Sequence, residues 1–419
     1  MLDINANFNV NNTFFENFEI KVIDDNKNRS LIAKNSFTKG QVLFNERPIV
    51  SAQFPWNELY KYKACEFCMR PLESAQENIR RLAEDSTINL PYLKQSCTTK
   101  RSLHCACVNC GIDYCSEDCR LQAYHLYHQT LCLGDNRQNP NHPINILMDV
   151  WKQMHFPPET TTIYLIIKLL AMMKQIPQNE ELMKKLSNFE CGLVNEKDQI
   201  PHKLLKEKFF NELESLREMT LEIFKNNFYV PECESWLSKD GFCQLFSLFG
   251  RNSQGIGTSP FSVYVDNVSK LNTLSKIEKK KLDKFIDKLY GKLEKTAGNF
   301  LNSEGSGIYE YQSMINHSCR PNAEISFRNN NFELSIVALQ DIEPGQEILI
   351  SYLDECELNS SRHTRQKLLR ENYLFNCQCE RCLAEIDQPD VTSDEDLEDD
   401  DDDEYEDIDD DEEAEEMEN

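Results

Sequence analysis

The chain has 419 residues, 40% of them apolar, enough for two or three domains with a sizeable buried core. Its net charge of -26 is concentrated at one end: Asp394 to Asn419 holds 20 acidic residues and no Lys or Arg, so the body is close to ordinary and the tail is the anomaly. The start, MLDINANFNVNN, is neither basic nor apolar enough for a secretory leader, and the most hydrophobic run, Ile163 to Ile176, is too short for a bilayer and carries Lys168 and Lys174.

Seventeen cysteines without a secretory leader imply a reducing compartment, where thiols meet metal more readily than each other. Residues 18 to 50 alternate apolar and polar in short bursts around Lys39-Gly40, which predicts short antiparallel strands and a turn. From residue 65 the spacing becomes that of metal ligands: Cys65-x2-Cys68, Cys107-x2-Cys110, Cys115-x3-Cys119 and His128-x3-Cys132. Such pairs suit two tetrahedral zinc sites, because each brings two soft ligands to an ion from a single turn. Interleaved pairing would join Cys65, Cys68, Cys115 and Cys119 on one ion and Cys107, Cys110, His128 and Cys132 on the other, a connectivity that spacing alone leaves open. Cys97, Cys105 and His125 are bystanders that could replace a ligand. Between Cys68 and Cys107, Leu72, Ala75, Ile79, Leu82 and Ala83 recur at helical spacing and predict an inserted helix.

Residues 133 to 250 read as mainly helical. Ile163 to Ile176 is expected to be a buried core helix, and Lys203 to Phe228 carries Phe209, Leu213, Leu216, Thr220 and Ile223 along one stripe. The Gly-rich RNSQGIGTS (Arg251 to Ser259) lacks the endings of phosphate-binding loops and reads either as a tight loop beside a ligand or as a turn. Ile277, Leu282, Phe285, Ile286, Leu289 and Leu293 predict an amphipathic helix with a basic solvated face.

QSMINHSCRPN (Gln312 to Asn322) is rich in turn formers and reads as a loop presenting polar groups. Strand-like alternation follows, ending in EILISY (Glu347 to Tyr352), and after a helical stretch come Cys377, Cys379 and Cys382. Three close thiols lack a fourth ligand, and Cys319 is the obvious candidate for a third zinc that would clamp the C-terminal segment to the loop.

NHSCxPN, then the (E)IxISY strand, then CxCxxC resembles the SET-domain protein-lysine methyltransferases, and the Cys/His pairs inserted after the first strands resemble the MYND finger. Together, over about residues 18 to 386, they resemble the SET and MYND family, in the branch with an acidic tail where other members carry a helical-repeat domain. The resemblance implies an α+β chain whose β-rich SET fold is split by the finger and a helical insert, with a zinc-binding post-SET segment. The expected organisation is a first SET part over residues 1–64, finger over 65–132, helical insert over 133–238, SET core over 239–353, post-SET segment over 354–386 and disordered tail over 387–419.

The resemblance also implies S-adenosylmethionine as methyl donor and a protein lysine, on histones or other basic proteins, as acceptor. Carried over residue by residue, Tyr352 would be the catalytic tyrosine and Tyr373 would line the lysine channel. Asn316 and His317 would contact the cofactor, Phe375 would stack on its adenine, and Asn252 would add a contact. The first cofactor loop would be Lys27, Asn28 and Arg29, in a segment that departs from the family's usual glycine-rich turn. A monomer acting in nucleus and cytoplasm is expected, with three structural zincs and a finger able to dock peptides. The competing class is an inactive adaptor in which finger and tail recruit partners.

Overall fold

The computed structural model describes residues 13–22, 29–154, 159–192, 207–298 and 301–388. Helices and five small sheets of two or three strands share one large apolar core, as the mixed sequence pattern predicts. Strand β1 (Phe18–Val22) pairs antiparallel with β2 (Arg29–Ala33). The Lys39-Gly40 turn is present, with Gly40 at φ +82°, a conformation open to glycine at little cost. It leads into β3 (Val42–Glu46) and β4 (Val50–Gln53), which find their partners in distant parts of the chain instead of forming a local meander.

Within the finger, β5 (Cys105–Ala106) and β6 (Asp113–Tyr114) form a short hairpin. It is followed by a helix, Glu117–Ala123, whose N-terminus is capped by the Ser116 side chain. The predicted insertion helix spans Ala75–Leu82 and starts with a Ser74/Glu77 capping box. Ile79 and Leu82 meet Tyr264, Leu282, Ile286, Leu289 and Leu293 in a second apolar cluster. The insertion thus docks on the helices Pro260–Ser269 and Lys276–Thr296, and Lys292 of the latter pairs with Asp85 of the insertion at 2.7 Å.

The apolar run lies in the helix Glu159–Gln175, where Ile163 and residues 165–167 and 169–173 are all buried. A helix apolar on every side belongs inside the protein. Its Lys168 is buried too, yet its ammonium donates to Ser51 O (3.0 Å) and Glu66 O (3.2 Å), pairs with Glu66 Oε1 (2.7 Å) and lies 4.7 Å from the Tyr127 ring centre. One buried cation thereby fastens β4 to the finger. In the helix Glu207–Phe228, Leu216, Thr220 and Ile223 are buried as the stripe predicts, and the side chains of Phe209 and Leu213 lie outside the described residues.

The Gly-rich segment departs from expectation. Arg251 and Asn252 end the helix Lys239–Asn252, and β7 (Ser253–Thr258) follows as a strand, neither loop nor turn. It pairs with β8 (Ser303–Ile308), which also pairs with β4. Gly305 is required there, because a Cβ would lie 2.3 Å from both Ala52 O and Met69 Cε.

NHSCRPN differs as well: Gln312–Met314 is a short turn of 3-10 helix, and β9 (Asn316–His317) is a two-residue strand. Beyond β10 (Ala323–Ser326) and β11 (Leu334–Ala338), β12 (Leu349–Ile350) runs parallel to β9. β11 joins β10 to β3 in one sheet. Polar groups of the motif knit these crossings: Asn322 donates from its side chain to Glu347 O and accepts from Leu349 N, both at 2.8 Å.

Candidate active site and zinc centres

The distant motifs meet where β9 and β12 lie side by side. His317 sits 5.4 Å from Tyr352 and 6.1 Å from Phe375, ring centre to ring centre, and Tyr352 sits 4.8 Å from Tyr373 and 6.2 Å from Phe375. Four of the expected residues therefore form one aromatic cluster. The helix Arg362–Tyr373 carries Tyr373 at its end, and Leu374 at φ +62° turns the chain so that Phe375 returns to the cluster. A leucine in the left-handed region is strained, and here it lies between two residues of the cluster.

Hydrogen bonds hold each ring. Tyr352 Oη donates to Ile315 O at 2.7 Å, and Tyr373 Oη donates to Tyr352 O at 3.3 Å. Burial raises both phenols, that of Tyr373 to about 12, so both stay protonated near neutral pH. Asn316 lies beside the cluster, and its side-chain amide donates to Arg29 O (2.9 Å), Ser30 Oγ (3.1 Å) and Glu347 Oε1 (2.8 Å), joining β2, β9 and the strand into Tyr352. Arg29 opens β2, while Lys27 and Asn28 lie outside the described residues. The Asn252 amide donates to Leu248 O and to Glu190 O.

Two arginines of this region carry no signal of their own in the motifs. Arg251 donates to Tyr373 O (3.3 Å) and Gly192 O (3.2 Å), tying the helical region to the cluster. Arg365 is fully buried beside the last cysteines. The sequence clue to it was slight: Arg365, Gln366 and Leu369 share the buried side of their helix, so an arginine stands in an apolar stripe.

Three Cys/His quartets gather: Cys65, Cys68, Cys115 and Cys119; Cys107, Cys110, His128 and Cys132; and Cys319, Cys377, Cys379 and Cys382, with all ligand atoms of a quartet within 4.8 Å of one another. A tetrahedral ion with Zn–S bonds of about 2.3 Å spaces its sulfurs about 3.8 Å apart and a sulfur about 3.6 Å from an imidazole nitrogen. The separations are 3.6 Å for Cys68 and Cys115, 3.5 Å for Cys115 and Cys119, 3.8 Å for Cys107 and Cys132, 3.6 Å for Cys319 and Cys382, and 3.5 Å for Cys110 and His128 Nε2. Each quartet fits one zinc, and the finger pairs are interleaved. A π-helical turn, Tyr124–His128, carries His128 to its cluster. Cys97, Cys105 and His125 stand outside all three quartets.

The third quartet shares its packing with the aromatic cluster: Cys319, Cys377 and Cys382 are buried with Leu353 and Leu369 against Tyr352, Tyr373 and Phe375. Gln366 pins the cysteine loop, donating to Cys377 O at 2.7 Å and accepting from Cys377 N at 2.9 Å. Hydrogen bonding by Cys377, and then by His317 and Arg365, lowers the Cys319 thiol against the opposing effect of burial.

Comparison with known proteins agrees with this arrangement. The SET domain family model matches residues 28–353. A chicken (Gallus gallus) protein named protein-lysine N-trimethyltransferase SMYD5 is 48% identical over 380 residues, which cover 91% of this chain and 89% of that protein. The human (Homo sapiens) protein of the same name is 46% identical over 377 residues, covering 90% and 89%. A histone-lysine N-methyltransferase SET5 of Mycosarcoma maydis is 23% identical over 376 residues, covering 87% of this chain and 66% of that protein.

Proposed function

The chain belongs to the SET and MYND family of S-adenosylmethionine-dependent protein-lysine methyltransferases, and we propose that its Tyr352, Tyr373, His317 and Phe375 cluster is where a substrate lysine is trimethylated. The observation that carries this reading is the meeting of three distant motifs in one cluster of rings whose hydroxyls are already oriented by backbone carbonyls.

A lysine amine attacks only when neutral, and its ordinary pKa near 10.4 makes that form cost about 4 to 5 kcal/mol at pH 7. Apolar rings around the amine disfavour the ammonium form by withholding water. Because the Tyr352 hydroxyl hydrogen is engaged by Ile315 O, its oxygen lone pairs remain to accept and would orient an amine N–H. Tyr373 packs directly against Tyr352 as part of the same wall, and Arg251, bonded to the carbonyl of Tyr373, keeps that wall in place.

S-adenosylmethionine supplies a sulfonium methyl group when bound. Its binding residues on this reading are Arg29, Asn316, His317 and Phe375, with Lys27, Asn28 and Asn252 at the margin. Two buried polar atoms on the flanking segments, Ser253 Oγ and Gln312 Oε1, have no hydrogen-bond partner among the described residues, which suits a site that receives a polar ligand. All three zincs are structural, since four protein ligands leave no open position for chemistry.

The substrates are histones or other basic proteins, methylated by a monomer in nucleus and cytoplasm. The tail from Asp394 to Asn419 would attract them through its charge, and the finger would dock peptides. No helix among the described residues is long and apolar enough to cross a membrane. The test is a labelled-cofactor screen over extracted basic proteins with wild type and Tyr352→Phe. Wild type should label lysines to the trimethyl state and release S-adenosylhomocysteine. Cofactor binding without methyl release in wild type would leave an adaptor as the better account.

A further inference from the structure

The third quartet differs from the finger quartets in what surrounds its sulfurs. Arg365 has no exposed surface, and its guanidinium donates from Nε to Cys319 Sγ at 3.3 Å and from Nη2 to Cys382 Sγ at 3.8 Å. Its remaining bonds fix its plane: Nη1 donates to Ser360 O at 2.6 Å, and Nη2 pairs with Glu385 Oε2 at 2.6 Å. In the finger, by contrast, Arg137 reaches Cys110 through the carbonyl oxygen, at 3.0 Å, and not through sulfur.

A second donor is His317, two residues away from Cys319 in the chain. His317 Nε2 lies 3.3 Å from Cys319 Sγ, and His317 Nδ1 lies 3.0 Å from the backbone nitrogen of Tyr352. A backbone amide only donates, so Nδ1 accepts and the ring proton sits on Nε2, directed at Cys319. Cys319 thus receives N–H groups from two buried side chains, one of which also holds the main chain at Tyr352.

We propose that His317 and Arg365 form a hydrogen-bonding shell around the third zinc and that His317 relays occupancy of this zinc to the backbone of Tyr352. Four thiolates on a divalent ion leave two negative charges in a buried place, which the N–H donors of His317 and of the Glu385-paired guanidinium spread through their hydrogen bonds. With zinc bound, Cys319 is a fixed thiolate acceptor, which holds the proton of His317 on Nε2 and the Nδ1 lone pair on Tyr352 N–H. Without the ion, Cys319 loses its place, and the imidazole loses the acceptor that fixes its ring plane against Tyr352 N–H. His317 and Arg365 are positioning residues in this scheme, and the relay half rests on the role given to Tyr352 above.

The experiment uses the full chain loaded with zinc and titrated with a chelator, with zinc counted by atomic emission. Arg365→Met should release one zinc at about 10- to 100-fold lower chelator concentration than wild type, the finger zincs being unaffected, and Arg365→Lys should recover part of the loss. His317→Phe should also loosen that zinc and lower kcat for methyl transfer at least about 10-fold, measured at saturating cofactor, with little change in KM for the protein substrate, and His317→Gln, which can donate and accept, should recover part of both. In cobalt-loaded protein the sulfur-to-metal charge-transfer band should shift in Arg365→Met, a signature of changed sulfur hydrogen bonding that general loosening of the fold would not give. If Arg365→Met fails to fold, Arg365→Lys and Glu385→Gln take its place in the titration. Chelator midpoints within twofold of wild type in these variants overturn the shell. Unchanged kcat in His317→Phe overturns the relay. The chelator arm does not depend on Tyr352, so unchanged turnover in Tyr352→Phe would refute that residue's role while the titration still decides the shell.

Discussion

The finger and the post-SET segment use the same ligand chemistry to different ends. In the finger, interleaved pairs fold a chain that has little sheet of its own, and its Cys65, Phe67 and Met69 join the main core, where Lys168 fastens them to β4. The post-SET quartet draws Cys319 from the NHSC segment and three cysteines from beyond the helix Arg362–Tyr373, so one ion closes the wall on which Tyr352, Tyr373 and Phe375 stand. Ligand sets alone do not distinguish the two regions. The difference lies in which segments each ion joins and what donates to its sulfurs.

Breaking the comparison at the aromatic cluster should have the largest effect. Tyr352→Phe is expected to lower kcat by at least about 100-fold while cofactor affinity stays within about threefold, read by single-turnover kinetics and calorimetry. Next, Cys319→Ser should remove one zinc and weaken cofactor binding at least about 10-fold, whereas Cys107→Ser should remove one zinc and leave cofactor affinity within about threefold. Equal losses in the two variants would mean that the finger supports the site as closely as the post-SET segment does.

The contrast was largely legible in the spacings, because each finger quartet is two local pairs and the third is a local trio of cysteines joined by Cys319. The aromatic cluster was legible through the resemblance of NHSC, ISY and CxCxxC. Less could be read where a neighbour decides the outcome. Asn316–His317 is a strand only because Leu349–Ile350 lies alongside it, and the Gly-rich Ser253–Thr258 is a strand because β8 pairs with it along its whole length. The role of Arg365 is set by acceptors that are sulfurs remote in sequence, which no local pattern names.

The attachment of the finger can be tested by Lys168→Met, which leaves Glu66 and two carbonyls without their shared cation; about 3 kcal/mol of stability should be lost, seen as a lower urea midpoint. Glu46 is another buried support, accepting from Tyr311 N and Gln312 N at 2.9 Å each, on the turn that leads into NHSC. Burial raises its carboxyl to about 7. The folded state therefore holds a proton that the unfolded state has released, and this residue's contribution is greatest below its unfolded value of about 4.5 and is lost as pH rises through about 7, by an amount of order 3 kcal/mol. Glu46→Gln should flatten the urea midpoint between those pH values relative to wild type. The smallest effect is expected from deleting Asp394 to Asn419, which should reduce affinity for a basic protein only at low salt.

The central claim is that segments far apart in the chain build one chamber in which an uncharged lysine meets the methyl donor. Its most direct measurement is burst release of S-adenosylhomocysteine in a single turnover, with a lysine-bearing basic protein, recorded against pH for wild type and Tyr352→Phe. Wild type should show release that rises as the lysine deprotonates, and the variant should bind the cofactor and release almost none. Equal release from both proteins would contradict the account.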